Sequence, residues 1–328
     1  MSVSESTQLR PWRGVLLLLV VLSFTCAPSA YAGDFPRLVI FGDSLSDAGN
    51  HYIAFGTTSL APFMPIPIAS YAIGGHHFSN GATWAEQLTQ DLGLPTSGSP
   101  ALRAPGVFTN YAVGRARARA NAPVFPLFDL STQVGRFLTD FGGQASSDDL
   151  YVVWIGANDL EDALDALASG GDPSAIIGAA ITATANNILA LYGSGARTFL
   201  IPNLPNFANT PAVRAAGPAA QVAATLLTGA YNQALDNALS QVQALIVLHR
   251  LQPIHFIRLD VKALLDDIVA APQDFGLTDA EDSCLTFFVT GDVICATANR
   301  HLFWDGIHPT TAGHAILAGA ARQVLADP

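Results

Sequence analysis

The chain has 328 residues, 50% of them hydrophobic and 12% charged, with a formal net charge of −11 at pH 7. So much apolar content supports a large core and excludes a disordered or coiled-coil chain. The negative charge argues against nucleic acid or an anionic membrane surface as a partner, since both would repel it.

Arg10 and Arg13 precede the apolar run Val15–Phe24, and Ala30-Tyr31-Ala32 then places small residues where a signal peptidase needs them. The pattern predicts a secretory signal peptide over residues 1–32, cut before Gly33. A membrane anchor would need about 20 apolar residues, and this run is about half as long. Cys26 follows the bulky Ser23-Phe24-Thr25, which argues against lipidation. Removing Arg10, Arg13 and Glu5 takes away a net charge of +1, so the mature chain goes from −11 to −12. It is expected in the periplasm or outside the cell, with no permanent membrane anchor. Residues 33–328 carry no repeat or linker and are expected to form one domain.

Five β-rich apolar runs follow, at Arg37–Phe41, Val107–Val113, Leu150–Ile155, Thr198–Pro202 and Ile254–Leu259. Between and after them the spacing predicts helices over Thr83–Leu92, Ser131–Phe141, Ala175–Tyr192, Ala219–Leu248 and Thr311–Ala326. Strands alternating with helices predict an α/β fold, a central parallel sheet of about five strands covered on both faces. Two long stretches rich in Pro, Gly or polar residues, His51–Gly75 and Gln273–Arg300, are candidates for functional loops. The first carries Phe63, Met64, Ile66 and Ile68, which suit transient contact with lipid. In an exported chain the remaining pair, Cys284 and Cys295, is expected to form a disulfide.

Ligands of open parallel sheets sit beyond the carboxyl ends of the strands, and there this sequence concentrates its polar residues. Ser44 follows the first strand, Gly114 the second and Asn158 the third, while Asp305 and His308 precede the last helix. A serine hydroxyl is a weak nucleophile until an imidazole takes its proton, and the imidazole must be held in the right tautomer by a carboxylate. Ser44, His308 and Asp305 supply those three parts. A developing oxyanion needs donors, for which the sequence offers the N–H of Ser44 at a helix start, an N–H from the Gly114 turn and the Asn158 amide.

"FGDSLSDAGN", "FSNGATWAEQL", "NYAVGRARA", "WIGANDL" and "FWDGIHPT" resemble, in order, the blocks of the GDSL or SGNH esterase/lipase family, in its bacterial phospholipase/lecithinase/hemolysin-like branch. The resemblance implies a flavodoxin-like three-layer α/β/α domain that hydrolyses small-molecule or lipid esters, with no cofactor and no metal. It implies Ser44 as nucleophile, Asp305 and His308 as its partners, and Asn158 with Gly114 or its neighbour as oxyanion donors. The second block commonly carries two glycines in relatives. Here the second is Arg115, which retains an N–H and stands as the rival to Gly114.

Other groups have plainer readings. His76 and His77 sit side by side but lack an acidic partner at metal-binding spacing, and His301 and His314 read as a loop and a helix residue. Asp43 is expected to hold its turn, Asp47 to sit in a first helical turn, and Asp148-Asp149 to mark a strand entry. Asn80 and Trp84 read as a helix start with its buried aromatic, Tyr151 and Trp154 as core. Arg115, Arg117 and Arg119 read as a solvated loop run. Within ester chemistry, phospholipid hydrolysis and acyl transfer stay open. Outside it, a non-catalytic lipid- or glycan-binding protein and a metal-dependent hydrolase are the rivals.

Overall fold

The computed structural model describes residue 1 and residues 35–56, 76–120, 128–286 and 293–326. The predicted signal peptide, its cleavage site, and the lipid-contact residues Phe63, Met64, Ile66 and Ile68 lie outside them.

A parallel sheet of β1 (Leu38–Gly42), β2 (Leu150–Trp154), β3 (Thr198–Pro202) and β4 (His255–Leu259) forms the centre, paired in that order. Every residue of β1 and β2 is buried, as expected of strands covered on both faces, which therefore read as continuous apolar runs. Alternate side chains enter opposite layers. Val39, Phe41, Tyr151 and Val153 face one core, while Leu38, Ile40, Val152 and Trp154 face the other.

The helices follow in chain order as α1 (Asn50–Phe55), α2 (Trp84–Asp91), α3 (Leu130–Asp140), α4 (Ala157–Ala168), α5 (Pro173–Ser194), α6 (Pro211–Ala215), α7 (Pro218–Leu248), α8 (Val261–Ala270) and α9 (Thr311–Ala326). The first core is closed by α3, α4, α5 and α7, and the second by α2 and α9 through Trp84, Leu88, Leu317 and Ala321. This is the three-layer α/β/α arrangement. Among the described residues α5 is long and apolar enough to cross a membrane. Its Ile177, Ile181, Ile188 and Leu191 are buried in the first core.

The sheet has four strands where about five were expected. Val107–Val113 runs along the outer edge of β1, where Ile40 N–H donates to Thr109 O and Tyr111 N–H to Ile40 O. Val113 N–H donates to Gly42 O as well, and the segment counts as an isolated bridge at Asn110 and not as a fifth strand. The Asn110 side chain donates to Ser46 O at 2.8 Å and accepts from Ala112 N–H. Helices α4, α6 and α8, and a further single turn at Pro95–Gly98, were not anticipated. The five predicted helices agree to within two residues at each end.

Cys284 and Cys295 are disulfide-bonded. The bridge closes the short hairpin of β6 (Leu285–Thr286) and β7 (Val293–Ile294), which follows β5 (Asp279–Ser283). Leu285 N–H donates to Trp304 O, so the hairpin braces the segment leading to Asp305. Replacing both cysteines with alanine is expected to cost about 2–3 kcal/mol by lengthening the accessible loop in the unfolded chain. Differential scanning calorimetry should show a melting temperature lower by about 5–10 °C; an unchanged value would contradict that expectation.

Candidate active site

Just beyond β1 the chain makes a tight turn instead of entering a helix. Ser46 N–H donates to Asp43 O at 3.1 Å, and the Asp43 carboxylate accepts Leu45 N–H at 3.1 Å. Helix α1 begins only at Asn50, so Ser44 is a turn residue and not the helix start predicted from its neighbours. The strand must end in glycine, since a Cβ on Gly42 would lie 2.6 Å from Trp154 O. Trp84 Nε1–H donates to Ser46 Oγ at 3.0 Å and fixes the turn from the α2 side. There Thr83 and Glu86 form a capping box, and Asn80 accepts Thr311 N–H from α9.

The segment before α9 brings the other two groups to Ser44. Asp305 Oδ1 accepts the N–H groups of Ile307 and His308 at 2.9 and 2.8 Å, and Oδ2 lies 2.7 Å from His308 Nδ1. Since a carboxylate only accepts, Nδ1 carries the proton and Nε2 accepts the Ser44 hydroxyl at 2.8 Å. Burial opposes charge on Asp305, but His308 and the two backbone donors outweigh it and hold the carboxyl below its usual range. Burial likewise opposes the imidazolium, yet Asp305 wins and raises His308 above 6.5. Such a chain is able to pass a proton from the hydroxyl to the imidazole and to hold the resulting cation.

Asp47 ties this turn to the next segment. Its carboxylate accepts N–H from Gly49 (2.8 Å), Asn50 (2.6 Å), His51 (3.0 Å) and Gly114 (2.7 Å). Burial pushes its pKa up to about 6, against these four donors. Gly114 was the first choice for an oxyanion N–H, but that group is engaged by Asp47 and points at it. Its rival Arg115 lines the same cavity as Ser44 and has φ of 67°. For a side chain bearing Cβ, that left-handed conformation costs about 1–2 kcal/mol.

Asn158 stands in the first turn of α4, behind a left-handed Gly156, and donates one amide hydrogen to Ala116 O at 3.0 Å. Arg117 and Arg119 are not a solvated run. Arg117, 3% exposed, forks onto Asp162 at 3.0 and 2.8 Å, and Arg119 reaches Asp159 and Asp162. Both pin the Gly114–Arg119 loop to α4. Sequence reading also missed Asn50 and Asn110. Asn50 donates to Asn110 O and Ala112 O and so joins the end of "FGDSLSDAGN" to the start of "NYAVGRARA".

Ser44, Arg115, Asn158, Asp305 and His308 line one cavity of about 510 Å³, within the range of small-molecule sites. The rest of its wall is dominated by apolar side chains, among them Phe78, Trp154, Leu164, Phe207, Leu265 and Phe303. Trp154 is thus both core and wall. The other histidines singled out in the sequence stand apart from this chemistry. His77 bonds Gly81 O and Glu86, His76 stacks on Tyr52, His301 opens the strand β8 (His301–Phe303) beside Asp279, and His314 is buried in α9. Among the described residues no group of three His, Cys, Asp or Glu gathers as metal ligands would.

The chain is 28% identical to the phosphatidylcholine-sterol acyltransferase of Aeromonas hydrophila, with 97% of both chains covered. It is 24% identical to Lipase 1 of Photorhabdus luminescens, covering 94% of this chain but 53% of that one. Among solved structures, an acetylxylan esterase from Geobacillus stearothermophilus aligns at 13% identity and a TM-score of 0.47, covering 90% of this chain and 96% of the other. Residues 38–321 match the model of the GDSL-like Lipase/Acylhydrolase family, and to that family the chain belongs.

Proposed function

We propose that the protein is an exported serine esterase that hydrolyses carboxylic esters with an extended acyl chain through a covalent acyl-enzyme. The observation that carries this reading is the hydrogen-bonded line Ser44 Oγ–His308 Nε2 and His308 Nδ1–Asp305 Oδ2, at 2.8 and 2.7 Å, in the wall of an apolar cavity.

Ser44 Oγ attacks the ester carbonyl carbon while its proton passes to His308 Nε2. Asp305 stays ionised and stabilises the imidazolium. The carbonyl oxygen becomes an oxyanion held by the Ser44 N–H, the Arg115 N–H and the Asn158 amide. Collapse breaks the bond to the alcohol, which leaves with the proton from His308. Water then gives a proton to His308, attacks the acyl carbon and releases the acid, restoring Ser44. The likeness along nearly all of both chains to an acyltransferase supports a second acceptor, an alcohol taking the place of water at the acyl-enzyme. The fatty walls favour an acyl chain that buries methylenes, each contributing about 0.8 kcal/mol.

A fluorophosphonate probe should attach once, at Ser44, and not to Ser44→Ala. In a p-nitrophenyl ester series from acetyl to palmitoyl, kcat/KM should peak at octanoyl or longer. A peak at acetyl would remove the acyl-chain assignment, and absence of label would remove the serine-hydrolase reading and favour a binding protein. Release of the first 32 residues is tested by sequencing the N-terminus of the exported protein.

A further inference from the structure

The Val113–Ala116 turn is closed by Ala116 N–H donating to Val113 O at 3.1 Å. Arg115, its third residue, has φ of 67°, whereas Gly114 before it is not left-handed. This is the type II sign pattern, which requires positive φ at the third residue and there favours glycine. The commoner type I turn differs from it by a flip of the central peptide, here Gly114 C=O and Arg115 N–H. An arginine at this position therefore favours the flip, which would turn the Arg115 N–H to the opposite side.

His51 opposes it. Its Nδ1 lies 3.1 Å from Gly114 O, on the carbonyl side of that same peptide. A carbonyl only accepts, so Nδ1 is the protonated nitrogen. In a planar trans peptide the N–H points opposite to the C=O, so holding Gly114 O toward His51 directs the Arg115 N–H away from α1. The ring is fully buried, between Phe55 and Phe78. Phe78 in turn packs on His308. Burial also keeps the imidazole neutral by lowering its pKa to about 4. From the other side Arg117 donates to Arg115 O at 2.9 Å, fixing the next peptide.

We propose that His51 is a positioning residue for the oxyanion site: by holding Gly114 O it keeps the strained turn in the form that presents the Arg115 N–H beside Ser44. The inference rests on the esterase reading above and on Arg115 as an oxyanion donor.

The test is a cycle between positions 51 and 115, read as kcat and KM on a p-nitrophenyl ester. His51→Phe keeps an aromatic ring between Phe55 and Phe78 and deletes the donor. It should lower kcat by about tenfold to a hundredfold, less than the loss of a whole donor, with KM within about threefold. His51→Asn places an amide N–H near the Nδ1 position and should retain most of kcat. Arg115→Gly, which accepts positive φ without strain, should recover at least about fivefold of the His51→Phe loss. His51→Leu provides the same cycle if His51→Phe does not fold. A purely structural role for His51 predicts the same kcat loss with arginine or glycine at position 115, or a loss confined to KM and melting temperature; either result overturns the proposal. Fluorophosphonate labelling at Ser44 should persist in every variant. If the unsubstituted protein takes no label, the esterase reading itself fails, and this inference with it.

Discussion

Asp305→Asn is expected to lower kcat by about 10⁴-fold while leaving the fold in place. Oδ1 of Asp305 already accepts two backbone N–H groups, from Ile307 and His308. The amide oxygen of asparagine must take that position, which turns its NH2 toward His308 Nδ1. Nδ1 then has to accept, the ring proton moves to Nε2, and Nε2 can no longer take the Ser44 proton. The pH profile adds an independent check. Asp305 is what raises His308 above 6.5 in spite of burial, and the base works only when neutral. In the unsubstituted enzyme the acid limb of kcat/KM should therefore fall above pH 6.5, and without the carboxylate it should move to lower pH. Stopped assays from about pH 5 to 9 on both proteins test this. A loss below tenfold, or an acid limb that does not move, would contradict the assigned role.

Much of this site was legible in the chain because its parts sit at sequence features with one structural meaning. Ser44, Asn158 and the Asp305–His308 pair each lie where an apolar run gives way to a loop or helix, and parallel sheets bring such ends together. What stayed hidden depends on pairings across long separations. Gly114 and Arg115 are equally able to offer an N–H by residue type; the choice turns on Asp47, 67 residues away. The Arg117 and Arg119 side chains read as solvated because charge is usually exposed, yet Asp159 and Asp162, about forty residues on, draw them inward. Val107–Val113 had the composition of a strand and runs beside β1, but it joins the sheet only through scattered backbone bonds and an isolated bridge at Asn110. Ser44 carried the composition of a helix cap, and only the backbone shows the helix delayed to Asn50.

The same dependence on backbone direction makes Gly156→Ala a strongly destabilising substitution. Gly156 has φ of 119° and ψ of −5° at the start of α4, a conformation that costs a residue with Cβ about 1–3 kcal/mol. Space is a second obstacle, since a Cβ there would lie 2.0 Å from the Tyr231 hydroxyl and 2.4 Å from its Cζ. Tyr231 cannot swing aside: it is fully buried on α7 and donates to Ile155 O at 3.1 Å. Overpacking of this kind adds about 1–3 kcal/mol, so the total loss should be near 4 kcal/mol. Thermal unfolding should show a drop of about 10 °C. Tyr231→Phe removes the nearest clashing atom but leaves Cζ in place and sacrifices the bond to Ile155, so in combination it should recover less than half of the drop. Because Asn158 lies two residues further along, the folded fraction should also lose kcat. A Gly156→Ala protein melting within about 3 °C of the unsubstituted one would mean that the β2–α4 junction yields, and that the Asn158 amide is held less firmly than its surroundings indicate.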